Sequence, residues 1–167
     1  MAPSWTITTG RLLLTPIGWQ DIGELCALKE DPRVYASMLG GVRTPVQVAA
    51  ELAEDTQFWA RHGVGMWMVR DREGKVAGLT GLHERVDGRG IALRFAFRPE
   101  AQGRGMAREA AGAALRFAHD RAHIARIIAV CRENNFGSRT VLGAIGMREC
   151  ESFDRVGERM LVFVSLG

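Results

Sequence analysis

Runs of apolar residues separated by short polar breaks divide the chain into a series of predicted strands and helices. An opening strand is expected over about Ile7 to Thr15, ending at Pro16. A helical region follows from about Trp19 to Lys29, and Asp31-Pro32 breaks it, because the residue before a proline is pushed out of the α region. A second helix starts near Pro45, a residue suited to a first helical position, with Thr44 as its N-cap; Val46, Ala49, Ala50, Ala53, Phe58 and Trp59 are its apolar positions. Three strands come next, about Gly65 to Arg70, Lys75 to His83 and Gly90 to Arg98, joined by turns holding Glu73-Gly74 and Asp87-Gly88. Met106, Ala110, Ala113, Ala114 and Phe117 recur at helical spacing, and the many alanines there permit close packing on a sheet. A buried strand, Ile124 to Cys131, precedes a helix containing Ser138, and two last strands run from about Met147 to Asp154 and Glu158 to Ser165. No repeat or low-complexity linker interrupts this series, so one domain over 1–167 is expected.

Phe97-Arg98-Pro99-Glu100-Ala101-Gln102-Gly103-Arg104-Gly105-Met106-Ala107-Arg108 carries a strand through a proline into a glycine-rich turn that opens a helix. Glycines let consecutive main-chain N–H groups converge on an anion, and the first helical turn adds unpaired donors and the positive end of its dipole. The run therefore suits phosphate. It lacks the Lys-Ser/Thr pair of a nucleoside-triphosphate loop, and Arg108 stands where a dinucleotide fingerprint needs its third glycine. What remains is Gln-x-x-Gly-x-Ala, formed by Gln102, Gly105 and Ala107. Downstream, Asn135-Phe136-Gly137-Ser138 leads through Val141-Leu142 and Ile145 to Gly146-Met147.

These two segments, in this order and at this separation, resemble the GNAT acetyltransferases, and with the opening Arg11-Leu12-Leu13-Leu14 they resemble the branch that acetylates ribosomal-protein alanine and serine N-termini. The likeness is strongest from Trp67 to Met147. It implies an α/β (α+β) fold, a single domain whose central sheet is mixed, mostly antiparallel, and flanked by helices on both faces. It also implies acetyl-CoA as donor, with neither metal nor covalent enzyme intermediate. On this resemblance the loop Gln102, Gly103, Arg104, Gly105, Met106, Ala107 and Arg108 would hold the pyrophosphate, and the strand before it, including Phe97 and Arg98, would pair with the pantetheine arm. Asn135 would contact the pantetheine, and Ser138 would lie near the thioester sulfur. Tyrosine often serves relatives as general acid, but the single tyrosine here, Tyr35, lies far earlier, and Ser138 is the substitute candidate. Many relatives carry a glutamate where this chain has Ala92; His83, Glu84 and Glu133 are the alternative bases. The acceptor expected from the branch is a protein N-terminal amine. A small amine such as an aminoglycoside, polyamine or amino acid is the other substrate class, and an acyl-CoA sensor without turnover is the non-enzymatic reading. The first 63 residues should wall the acceptor site. Glu51, Glu54 and Asp55 could attract a cationic amine there, although a solvated helix face carries such charges by default. Trp59 and Trp67 are expected in the core.

Composition narrows the setting. A chain of 167 residues with 47% apolar content is large enough to bury a core without metal or disulfide. Three cysteines, Cys26, Cys131 and Cys150, show no paired spacing, which points to reduced thiols. Met1-Ala2-Pro3-Ser4-Trp5 does not have the pattern of a basic-then-apolar leader, and no apolar run approaches a membrane span, so a cytoplasmic protein without membrane partners is expected. A net charge of +3 spread along the chain offers no nucleic-acid patch. A monomer or homodimer is expected, with the last strand, Arg159 to Ser165, as the candidate dimer edge.

Overall fold

The computed structural model describes residues 4–167, so the leader reading at Met1 to Pro3 lies outside the described residues. Where one opening strand was expected there are two, β1 (Ile7–Thr8) and β2 (Leu13–Pro16), folded on each other as an antiparallel pair. The Thr9 N–H donates to the Leu12 carbonyl at 2.9 Å and closes the turn through Gly10-Arg11. Helix α1 (Ile22–Glu30) ends at Asp31 as expected, but the chain re-enters a short helix, α2 (Pro32–Tyr35). There the Asp31 carboxylate accepts the Arg33 N–H, and proline supplies a first residue that needs no donor. Helix α3 (Pro45–His62) begins in a reciprocal cap: Thr44 Oγ1 accepts from the Gln47 N–H and Gln47 Oε1 accepts from the Thr44 N–H. Its buried side is Val48, Leu52, Asp55, Phe58 and Trp59, while Val46 is exposed.

Strands β3 (Met66–Arg70), β4 (Val76–Glu84), β5 (Ile91–Phe97), β6 (Arg126–Arg132), β7 (Arg148–Arg155) and β8 (Glu158–Leu166) complete one sheet in the order β1-β2-β3-β4-β5-β6-β8-β7. Only β5 and β6 run parallel. They touch in register at a single pair, Ala92 and Ile128, and then part. On β4 one extra residue is accommodated opposite Val69/Arg70, so that Val76 and Leu79, three positions apart, pack in the same cluster. This bulge turns Leu79, Gly81 and His83 toward α1–α3, where counting by twos from Val76 would put the opposite set. The final strand β8 is not an edge: it lies between β6 and β7. The edge is β7, exposed along most of its length and charged at Arg148, Glu149, Glu151, Asp154 and Arg155, a pattern that discourages pairing with another chain.

Each face of the sheet has its own core. On one side α4 (Met106–Asp120) lays Ala110, Ala111, Ala114 and Ala118 against Trp67, Val69, Leu82, Leu93 and Phe97, and α5 (Phe136–Ala144) adds Leu142. Trp59 meets Trp67 edge to face at 4.9 Å, and Trp67 meets Phe117 in the same way at 5.2 Å, so both tryptophans are core, as expected. Their N–H groups are satisfied by main-chain carbonyls of Met66 and Trp5. On the other side Leu25, Leu28, Val34, Tyr35, Val48 and Leu52 pack on Met66, Met68, Val76, Leu79 and Ala96. No helix of the described residues is long and apolar enough to cross a membrane.

Gly78, at the bulge, allows β5 to approach: a Cβ there would lie 2.3 Å from the Ala96 carbonyl oxygen and 2.8 Å from the Phe97 Cα, both main-chain atoms. Gly78→Ala is therefore expected to destabilise the fold by about 1–3 kcal/mol. Urea unfolding would show this as a lower midpoint at unchanged slope. A midpoint equal to that of the parent would mean that β4 and β5 can shift apart freely.

Candidate active site

The parting of β5 and β6 leaves main-chain groups without a strand partner. The Arg98 N–H bonds the Ala77 carbonyl at 2.8 Å, which fixes the alternation along β5: Arg94 and Ala96 bond toward β4, the Leu93 N–H is taken by the pairing of Ala92 with Ile128, and the Leu93 carbonyl and the N–H and C=O groups of Phe95 and Phe97 face the gap. One of these carbonyls, of Phe97, accepts a hydrogen bond from Gln102 Nε2 at 3.0 Å. Gln102 thereby ties the loop to the end of the strand. The Arg98 side chain turns away and donates to the Val76 carbonyl at 3.1 Å.

Below the gap lies a cleft of about 750 Å³ lined by Phe95 to Phe97, by Gln102, Gly103 and Gly105 to Arg108, and by Asn135 to Ser138, Val141 and Ala144 of the α5 segment. Gly103 and Gly105 have φ of 73° and 77°, the left-handed conformation that glycine adopts freely. Gly105 is the N-cap of α4 and carries no capping side chain. The first helical bond is from Glu109 N–H to Gly105 O, so the N–H groups of Met106, Ala107 and Arg108 remain for an anion. Arg104 and Arg108 are exposed beside them, Arg108 lining the cleft and Arg104 outside it. Open donors, positive dipole and flanking strand groups fit a long, phosphorylated, extended ligand such as acetyl-CoA.

The loop is braced from the opposite end of the chain. Arg11 Nη1 donates to the Arg104 carbonyl at 2.7 Å, while Arg11 Nε and main-chain N–H both bond the Glu109 carboxylate, at 2.8 and 3.0 Å. Burial opposes ionisation of Glu109, but hydrogen bonds from the Thr9 hydroxyl and from Arg11 outweigh it, and its carboxyl lies below the usual glutamate value.

A second, smaller cavity of about 120 Å³ continues from the cleft on the α1–α3 side, and the two share Ser37, Phe95, Asn135 and Ser138. Asn135 caps α5 by accepting the Ser138 N–H at 3.1 Å, which leaves its amide nitrogen for a ligand. The Ser138 hydroxyl makes no hydrogen bond among the described residues, unlike that of Thr140, which bonds its own helix backbone. The small cavity is also lined by Arg43, His83, Arg85, Arg94, Cys131 and Arg132. His83 stands opposite Ala92 across β4–β5, so its side chain shares the neighbourhood of the Ala92 position. Burial first, then the positive charges of Arg94 and Arg85, hold its imidazole well below 6.5. Burial likewise pushes the Cys131 thiol up to about 11.

The other candidate bases are not brought here. Glu84, next in the strand, is exposed and lines neither cavity, and Glu133 is exposed and paired with Arg159 at 3.0 Å. Tyr35 is fully buried in the α1–α3 core. Nor do the acids of α3 offer free negative charge: Glu51 is held by Lys29 at 3.0 Å and Arg43 at 3.1 Å, Asp55 is buried beside Arg94 at 3.7 Å, and Glu54 faces solvent. Sequence reasoning did not single out Arg33, which also lines the larger cleft, or Ser37, Arg43 and Arg94. The first two follow a helix break that gives no hint of α2, and the polar Arg94 in a predicted strand is the one local signal available.

The family model for the acetyltransferase (GNAT) domain matches residues 11–148. No curated protein sequence matches the chain. Among solved structures, a GnaT-family acetyltransferase from Bordetella pertussis is 23% identical, with a TM-score of 0.85 over 96% of this chain and 99% of that one. A ribosomal-protein-serine acetyltransferase from Vibrio cholerae is 20% identical, with a TM-score of 0.75 and both chains fully covered. RimL, a ribosomal L7/L12 α-N-protein acetyltransferase in complex with coenzyme A, is 14% identical, with a TM-score of 0.79 over 96% of this chain and 97% of that one. These neighbours share the fold: a mixed, mostly antiparallel sheet covered by helices, as expected. With the family model spanning both the glycine loop and the Asn135 to Ser138 segment, the chain belongs to the GNAT family of acetyl-CoA-dependent N-acetyltransferases.

Proposed function

We propose that the protein acetylates the α-amine of a protein N-terminus by direct attack in a ternary complex with acetyl-CoA. The carrying observation is that a long cleft suited to the donor and a small cavity suited to an amine meet at Asn135 and Ser138, beside the parted strands. The likeness to ribosomal-protein acetyltransferases supports the peptide acceptor. The small size of the second cavity means that only the terminal residue enters, and it equally favours a small amine as second reading.

When bound, acetyl-CoA supplies a thioester carbonyl for the amine to attack. The main chain of Gln102 to Arg108 holds the pyrophosphate, and Phe95 offers strand groups to the pantetheine. An amine near its ordinary pKa of about 10 must shed a proton to act as nucleophile. His83 is the base in this reading: its imidazole is neutral at physiological pH and its nitrogen can take that proton. Ser138 Oγ is free to donate at the junction, where the leaving thiolate needs a proton. Cys131, protonated at neutral pH, is a poor nucleophile, which agrees with transfer without a covalent enzyme intermediate.

Two measurements test this reading. Gly105→Glu places a carboxylate where the anion belongs, at a residue whose φ already resists a side chain, and should weaken acetyl-CoA binding at least tenfold by calorimetry while a melting transition persists. Normal affinity would remove the phosphate role of the loop. His83→Ala should lower kcat on a responsive acceptor by about 10²-fold. A base is lost as pH falls through its own pKa, so the wild-type acid limb belonging to His83 lies below 6.5 and should vanish in the variant. An unchanged limb and rate would leave deprotonation to water.

A further inference from the structure

The small cavity has four arginines in its walls, Arg43, Arg85, Arg94 and Arg132, and no aspartate or glutamate. Three of them are neutralised from behind by hydrogen-bonded carboxylates: Arg43 by Glu51 at 3.1 Å, Arg85 by Asp87 at 2.7 Å and Arg132 by Glu158 at 2.8 Å. Arg94 is different. Its guanidinium makes no hydrogen bond among the described residues, its Nε is buried without a partner, and its nearest carboxylate, Asp55, stands at 3.7 Å with Oδ2 also unpartnered. A guanidinium carries five donors in a planar fork, and leaving them unused in a mostly enclosed site is costly unless a ligand takes them.

We propose that the acceptor is a primary amine carrying a carboxylate, and that Arg94 binds that carboxylate within the cavity. The inference rests on the acetyl-transfer reading and adds the chemical class of the acceptor. The bulge on β4 puts His83 and Arg94 on one face of adjacent strands, His83 opposite Ala92 and Arg94 opposite Gly81. Two strand residues separate the positions, about 7 Å. An amine one or two carbons from its carboxylate bridges that spacing when the carboxylate bonds Arg94 and the N–H points at His83. The same positive walls disfavour an ammonium and so favour the neutral amine that attack requires. A free α-amino acid and a peptide with an acidic first residue share this chemistry.

The test uses matched acceptors differing only in charge: L-alanine against L-alaninamide, and aspartyl-glycinamide against asparaginyl-glycinamide, with thiol release measured under saturating acetyl-CoA. In the wild type at least one carboxylate member should exceed its amide partner tenfold or more in kcat/KM, and the pair that does so identifies the source. That ratio should fall to near one in Arg94→Gln and recover in part in Arg94→Lys. Equal rates within both pairs, or a preference indifferent to Arg94→Gln, would overturn the proposal. If Arg94→Gln shows no melting transition, the wild-type ratio and Arg94→Lys decide. If nothing releases thiol, calorimetry on the complex with coenzyme A decides: carboxylate binding tenfold tighter than amide binding keeps the inference while the transfer reading fails, and equal or absent binding ends it.

Discussion

The site depends on the separation of β5 from β6 beyond the single register pair of Ala92 and Ile128. Buried main-chain donors and acceptors must be paired, so a strand that loses its neighbour inside a sheet needs another partner. Here the unpaired groups of Phe95 form the inner wall of the larger cleft, and the carbonyl of Phe97 is closed off by Gln102. The rest of the sheet can tolerate this gap because β6 gains full pairing on its other side from β8, which takes the inner place while polar β7 takes the edge.

The two halves of the site are held by different physics. The half proposed to take the donor is almost wholly backbone: left-handed glycines, orphan N–H groups at the start of α4, and strand groups facing the gap. The half proposed to take the acceptor is side-chain electrostatics in a partly dry setting, where Lys29, Glu51, Arg43, Asp55 and Arg94 are packed between α1, α3 and the sheet. Burial raises the Asp55 carboxyl above its ordinary range despite nearby Arg94 and Lys29. Arg94, whose guanidinium makes no hydrogen bond among the described residues, is the most available cation in the cavity.

Features that depend on neighbours in sequence were legible. The Thr44 cap, the glycine turn, the alanine face of α4 and the strands from Met66 to Phe97 all follow from local conformational preference and period. What was not legible depends on contacts between distant segments. Period counting fails at the β4 bulge, since one extra residue near Ala77 reverses every later side chain, and that reversal brings His83 to the cavity. The order of β8 and β7 follows from where the last hairpin docks, not from either strand alone. Glu84 and His83 were equal candidates in the sequence because alternation decides between them only once the sheet face is known. The acids of α3 looked like cation attractors because their partners, Lys29, Arg43 and Arg94, lie on other elements.

Arg11 and Glu109 join the first hairpin to the glycine loop that is proposed to meet the phosphates. Any ligand that requires the ordered loop also requires that hairpin to be in place, so donor affinity and the local folding equilibrium of the N-terminal residues form one linked system. Fraying of β1 and β2 would be felt as weaker binding some distance away, and a bound donor would in turn hold the chain's beginning closed. The stability of the β1–β2 hairpin is thus a lever on substrate affinity, although it lines neither the larger cleft nor the small cavity.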